Sequence, residues 1–185
     1  MKPCKPTRVE LLAARGKTVA DIIAPRLDVL FVGINPSLYS AAVGHHFARP
    51  GNRFWPVLFA AGFTKRLLSP FDERELLNCG YGISNLVRHA SASAAELSPA
   101  EFAAGGRRLI AKVRRYRPRI VAVLGIGAYR VAFSCTKAVL GKQQDTVGGT
   151  CAWVLPNPSG LNANYRLADL TRLYRQLRRA AERAS

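Results

Sequence analysis

The chain has 185 residues, 28 of them Lys or Arg against 11 Asp or Glu, a formal charge of +17, and 49% of them are apolar. That length suits one domain with a core of its own. No stretch comes near the roughly 18 consecutive apolar residues of a membrane helix, and the opening MKPCKPTRVELLAARGK has no apolar run behind its basic residues. Neither a membrane span nor a signal peptide is expected, and the chain reads as soluble and cytoplasmic. Cys4, Cys79, Cys135 and Cys151 lie far apart with no C-x-x-C pair. This argues against a zinc site and a dense disulfide framework, and reduced, mostly buried thiols are expected. Such an excess of positive charge costs a folded domain self-repulsion unless a polyanion is its partner, which points to nucleic acid, with a generic basic surface as the alternative. A membrane surface fits less well, because the most basic segment, GGRRLIAKVRRYRPR, has few large apolar residues.

Apolar runs rich in Val, Ile and Leu alternate with helical patterns, which predicts parallel strands joined by crossover helices. Strands are expected over Asp28 to Ile34, Tyr81 to Leu86, Ile120 to Gly125 and Cys151 to Leu155. Asn52 is placed to cap a helix over FWPVLFAAG, with Gly62 as its stop. Ser69-Pro70 and Ser98-Pro99 each pair an N-cap with proline at the first helical position, and Ser98 with Glu101 has capping-box spacing. Pro118 ends that helix before the next strand. Leu170, Leu173, Leu177 and Ala181 stripe one face of a C-terminal helix. The expected fold is a three-layer α/β/α domain around a mainly parallel sheet of four to five strands. Residues 1–17 are expected as a flexible basic N-terminus and 18–185 as a single domain, with the last few residues after Ala181 loose as well.

The first strand runs into Gly33-Ile34-Asn35-Pro36-Ser37 and the last into Pro156-Asn157-Pro158-Ser159-Gly160, so both present Asn-Pro-Ser at a strand's carboxyl end. In a parallel sheet those ends share one rim, where open α/β folds bind ligands. Proline holds the preceding residue extended, which fixes the direction of each Asn side chain. Ordinary turn chemistry is the alternative for either copy alone. The loops GINPSLYSAAVGHHFARPGNR and NPSGLNANYR contain no Asp or Glu, which leaves no local acid for a carboxylate dyad, a metal cage or a Ser-His-Asp triad. Chemistry there must work by positioning and by backbone dipoles. His45 and His46 point to opposite sides of an extended loop, so a metal is not expected, and phosphate contact or plain solvation is the reading for them.

GINPS at 33 to 37, GHHFARPGNRFW at 44 to 55, GISNLV at 82 to 87, EFAAGGRRL at 101 to 109 and VLPNPSGL at 154 to 161 resemble, in order and spacing, the motifs of the mismatch-specific uracil/thymine DNA glycosylases of the uracil-DNA glycosylase superfamily. The resemblance runs from about residue 20 to the C-terminus. It implies a monofunctional, cofactor-free and metal-free monomer that flips uracil, or alternatively thymine or another damaged pyrimidine, out of mispaired DNA and hydrolyses the N-glycosidic bond in base excision repair. The implied partner is double-stranded DNA carrying G·U or a related lesion, with single-stranded DNA as a further candidate. By the resemblance, Asn35 positions the water. An amide lacks the basicity of a general base, so Asn35 can orient that water only through its carbonyl oxygen. Phe47 stacks on the extruded base, backbone N–H groups around Ile34 and Phe47 address its carbonyl oxygens, Ser40 falls where the pocket meets the pyrimidine ring's methyl position, and Asn85 falls near the pocket wall. Asn157 stands where the classical uracil enzymes carry a histidine. Ser159, Gly160 and Asn162 shape the strand-contact loop, with Leu161 as the wedge that fills the space left by the flipped nucleotide.

Two departures stand out. Ala163 occupies the position where the family places an arginine that reaches the unpaired guanine, and Arg88-His89 replaces the family's acid after Asn85-Leu86-Val87. The alternative reading is a catalytically idle nucleic-acid-binding domain of the same fold. An iron-sulfur relative is a further rival prompted by the four cysteines, although the N-terminal cysteine pair it requires is missing.

Overall fold

The computed structural model describes residues 5–183. Cys4 and the last two residues lie outside that range. Strands β1 (Val29–Gly33), β2 (Tyr81–Asn85), β3 (Ile120–Leu124), β4 (Gly141–Val147) and β5 (Thr150–Leu155) form one sheet in the order β2-β1-β3-β5-β4. All pairs are parallel except β4 with β5. The four expected strands are present. They read as continuous apolar runs because helices cover the sheet on both faces. Phe31 faces the layer of α3 (Phe54–Ala61) and α6 (Leu167–Arg183), packing with Phe54, Leu58 and Tyr174. Leu30 and Val32 face the layer of α4 (Pro99–Tyr116) and α5 (Ile126–Ala132), with Leu109, Val113 and Tyr129. The three-layer α/β/α expectation is met.

Local signals act as read, with small shifts. The Ser98 hydroxyl accepts from the Glu101 N–H while the Glu101 carboxylate accepts from the Ser98 N–H at 2.7 Å, closing the capping box of α4. Asn52 lies two residues before the start of α3, one before the N-cap Arg53, yet its Oδ1 accepts the Phe54 N–H at 2.9 Å, and Gly62 ends the helix with φ +85°. Pro70–Cys79 is a 3-10 helix. On α6 the fully buried stripe is Leu170, Tyr174, Leu177 and Ala181, with Leu173 only half-buried.

The segment up to Lys17, expected to be loose, carries helix α1 (Arg8–Ala13), closed by a Thr7–Glu10 capping box. Ala14 is fully buried against Ala41 of α2 (Leu38–Val43) and Ala90, and the Gly16 N–H bonds the Ala90 carbonyl. Strand β4 was not expected. Its sequence GKQQDTV turns only Gln143 and Val147 inward, so it lacks the apolar alternation that marks a strand, and its polar outer face suits a sheet edge. The cysteines depart from expectation too: Cys79 is exposed, and Cys135 and Cys151 are half-buried free thiols. Among the described residues, no helix is long and apolar enough to cross a membrane.

Candidate active site at the strand rim

Register places the two Asn-Pro-Ser turns. Val32 pairs with Val123, and Val123 with Val154, so β1 and β5 end level with one another on either side of β3. Asn35 and Asn157 each stand two residues past that level. They sit at one height on the rim, two strand spacings or about 10 Å apart. Between them opens a pocket of about 230 Å³, lined by both asparagines, Ile34, Ser40, Phe47, Asn85, Ser91, Ser159 and Leu161, among others, and by no Asp or Glu.

The orientation of each asparagine follows from its partners. The Asn35 Nδ2 donates to the Ser91 Oγ at 2.8 Å, the Pro36 carbonyl at 3.1 Å and the His89 carbonyl at 3.4 Å. The Ser91 hydroxyl spends its own proton on the Ser93 carbonyl at 2.7 Å, so toward Asn35 it can only accept. The Asn35 amide is thereby fixed, with its carbonyl oxygen as the free end. A carboxylate at this position would face three acceptors with no proton to offer. Asn157 is fixed the opposite way: its Oδ1 accepts the Ser159 N–H at 3.0 Å, leaving its NH2 as the free end. The rim thus offers an acceptor on one side and a donor on the other.

Phe47 has φ +53° and stacks one face on Phe54, with ring centroids 4.0 Å apart. The loop holding it there is pinned on both flanks: the His46 N–H donates to the Glu73 carboxylate at 2.8 Å and the Ala48 N–H to the Ser40 Oγ at 3.2 Å. Ser40 is buried in the pocket wall, where its hydroxyl serves this loop. Gly33 lets Phe47 and Asn85 approach the rim. A Cβ on Gly33 would lie 2.5 Å from the Asn85 Oδ1 and 3.3 Å from the Phe47 ring. Ile34 packs its side chain toward the α4 and α5 core, beside Gly125.

His45 and His46 do diverge, but neither is left for solvent or phosphate. The His45 Nδ1 bonds the Glu73 Oε1 at 2.9 Å, and His46 is buried with its Nε2 at 2.9 Å from the Ala20 carbonyl. A carbonyl only accepts, so His46 carries its proton on Nε2 and turns its Nδ1 lone pair to the Asn85 Nδ2 at 3.4 Å. Burial pushes the His46 pKa below the ordinary histidine value. A histidine whose folded pKa is depressed supplies stability that is fully present above its unfolded pKa and is lost as pH falls through the window down to the folded value. Chemical unfolding between pH 7.5 and pH 5 should therefore show the parent losing stability below about pH 6.5 relative to His46→Gln. Parallel pH profiles would refute this.

The structure adds residues that the sequence reading passed over. The rim loops do lack acids, yet Glu73 arrives from the 3-10 helix to hold them, and Glu101 pairs with His89 at 3.1 Å, where the lost family acid was noted. Arg53 ties down the loop that carries Leu161. Its guanidinium donates to the carbonyls of Pro158, Ser159, Asn162 and Tyr165, and its own N–H adds a bond to Pro158 at 3.0 Å. Gly160 lies against Gly51, where a Cβ would fall 2.5 Å from the Gly51 carbonyl, and the Asn162 Nδ2 donates to the Asn157 carbonyl at 2.9 Å. Gly160 and Asn162 shape the loop from outside the pocket. Leu161 stands at its tip, 74% exposed. Among the described residues, no three His, Cys, Asp or Glu side chains converge as a ligand set.

The domain is a mainly parallel α/β fold whose rim pocket is built on oppositely oriented amides, with a stacked aromatic beside them and an exposed apolar side chain at the loop tip. The model of the uracil DNA glycosylase superfamily matches residues 20–178, and the chain belongs to that superfamily. It is accordingly a DNA glycosylase, a hydrolase of base excision repair that acts on DNA.

Proposed function

We propose that the protein is a monomeric, monofunctional glycosylase that flips uracil from mispaired DNA and hydrolyses its N-glycosidic bond with Asn35 positioning the water. The observation that carries this reading is the Asn35 amide, locked by Ser91, Pro36 and His89 so that only its carbonyl oxygen is free. The extruded base stacks on the face of Phe47 away from Phe54, and Asn85 addresses its polar edge. Breaking the bond builds oxocarbenium character on the sugar and leaves the electron pair on the base. The N–H groups of Ile34 and Phe47 and the NH2 of Asn157 donate to that developing anion. Water held by Asn35 adds to the anomeric carbon, and its proton leaves to solvent because the pocket holds no carboxylate and its histidine, His46, already turns its Nδ1 to the Asn85 amide. Good leaving groups such as uracil are therefore favoured, with modest turnover.

The test is a single-turnover assay in the presence of a chelator on uracil opposite G, opposite A and in a single strand. Free uracil from G·U is expected. Intact strands after alkali, with enzyme in excess, would replace this reading with an idle DNA-binding domain. Activity on A·U and single strands is expected as well. The exposed Ala163 cannot make the bidentate guanine contact of an arginine, typically worth about 1–3 kcal/mol or roughly ten- to a hundredfold in partner choice. Strict G·U dependence would mean that other groups read the guanine. Leu161→Ala should lose most on A·U, where the base is well paired, and least on single strands. Equal losses on all three substrates would make Leu161 structural.

A further inference from the structure

The large positive charge is not confined to the pocket, where Arg49 lines the wall. Helix α4 starts at the rim, where Glu101 meets His89, and runs down to Arg114, Arg115 and Arg117 at the opposite pole, ahead of β3. The loop entering β1 brings Arg26 to the same place, with its N–H bonded to the Tyr116 carbonyl at 2.7 Å, and the Arg119 N–H bonds the Leu27 carbonyl. All five arginines are exposed. Only Arg119 has an acidic partner among the described residues, Asp28 at 3.4 Å, while Arg115 lies over the Tyr116 ring at 5.4 Å. Arg26 and Arg117 sit in the left-handed region, φ +56° and +49°, where an arginine is strained by roughly a kcal/mol or more. At the rim, Arg53 is consumed by loop carbonyls, while Arg49 is exposed and serves the pocket itself.

We propose that this pole is a second surface for duplex DNA, which takes a segment other than the one that enters the pocket. The proposal stands apart from the glycosylase reading and needs only that the chain acts on DNA. The five cations are all arginine, whose planar fork suits phosphate oxygens, and none of the exposed large apolar side chains lies among them, as a lipid surface would require. The pole is separated from the pocket by the length of β1, about 17 Å, plus the loops at either end. Duplex DNA has a persistence length of about 50 nm, so one short duplex cannot wrap from the rim to the far side of a 20.2 kDa domain. A second duplex, or a distant part of the same one, is the partner that fits. A protein holding two segments can pass from one to the other without dissociating.

The full chain is bound to a bead-held duplex and offered a second, dye-labelled undamaged duplex. The parent should retain the label. Arg114→Ser, Arg115→Ser and Arg117→Asn together should cut retention at least about tenfold and lower its salt slope by about 2.7, since each lost phosphate contact contributes about 0.9. Asn is chosen at 117 because it tolerates the left-handed backbone. Melting of the triple variant checks its fold, and its single-turnover excision on a short G·U duplex should stay within about twofold of the parent. Three results overturn the proposal: equal retention by parent and variant, a matching loss of excision, or preferential retention of labelled RNA or of phosphatidylserine–phosphatidylcholine vesicles. A parent that excises nothing would refute the glycosylase reading and still leave the retention measurement decisive for this surface.

Discussion

Replacing Asn35 with Ala should lower the single-turnover rate of uracil release by at least about a hundredfold, the scale on which misplacing a reacting group is felt. DNA affinity should stay nearly unchanged. The three bonds of the Asn35 Nδ2 are internal to the protein, and only its carbonyl oxygen is offered to a ligand, so the change removes a contact to water rather than to the base or to phosphate. Ser91→Ala supplies the matching control. It removes the acceptor at 2.8 Å without touching the water, so the Asn35 amide can rotate. A smaller loss is expected, with unchanged DNA affinity. A variant Asn35→Ala that cleaves as fast as the parent would move water positioning to another residue.

How much of this site was legible depended on how far along the chain its parts lie. Asn35 and Asn157 sit in short motifs at strand ends, where proline direction and sheet topology place them, and the paired register of β1, β3 and β5 carries both to one height, whereas Phe47, beyond α2, was legible only through the family resemblance. Ser91 and His89 fix Asn35 from more than fifty residues away, and no local pattern marks a serine as an acceptor for a distant amide. Glu73 escaped for the same reason, since counting acids within the rim loops says nothing of a 3-10 helix folded beneath them. The histidines were misread because adjacency in an extended loop predicts divergence but not burial. Strand β4 and helix α1 failed differently. The first hides its two inward residues in a polar sequence, while the second carried a legible Thr7–Glu10 capping box that a basic composition outweighed.

Arg53→Met should slow uracil release roughly ten- to a hundredfold without abolishing the fold. Arg53 touches neither the pocket's asparagines nor the apolar tip directly. It acts on the loop that carries them, because one planar guanidinium satisfies the carbonyls of Pro158, Ser159, Asn162 and Tyr165 at once. Methionine fills similar space and offers no donor, so those carbonyls turn to water and the loop loses the register that sets both the Asn157 amide and Leu161. Lysine retains the charge but cannot reproduce the fork, and Arg53→Lys should fall between parent and Arg53→Met. Amide exchange supplies the readout that a general loss of stability would not give. Protection should drop in residues 159–165 while the amides of β1 and β3 exchange as in the parent. If exchange in the loop is unchanged while the rate falls, Arg53 acts on DNA rather than on its own chain; if neither changes, its bonds to the four carbonyls are dispensable.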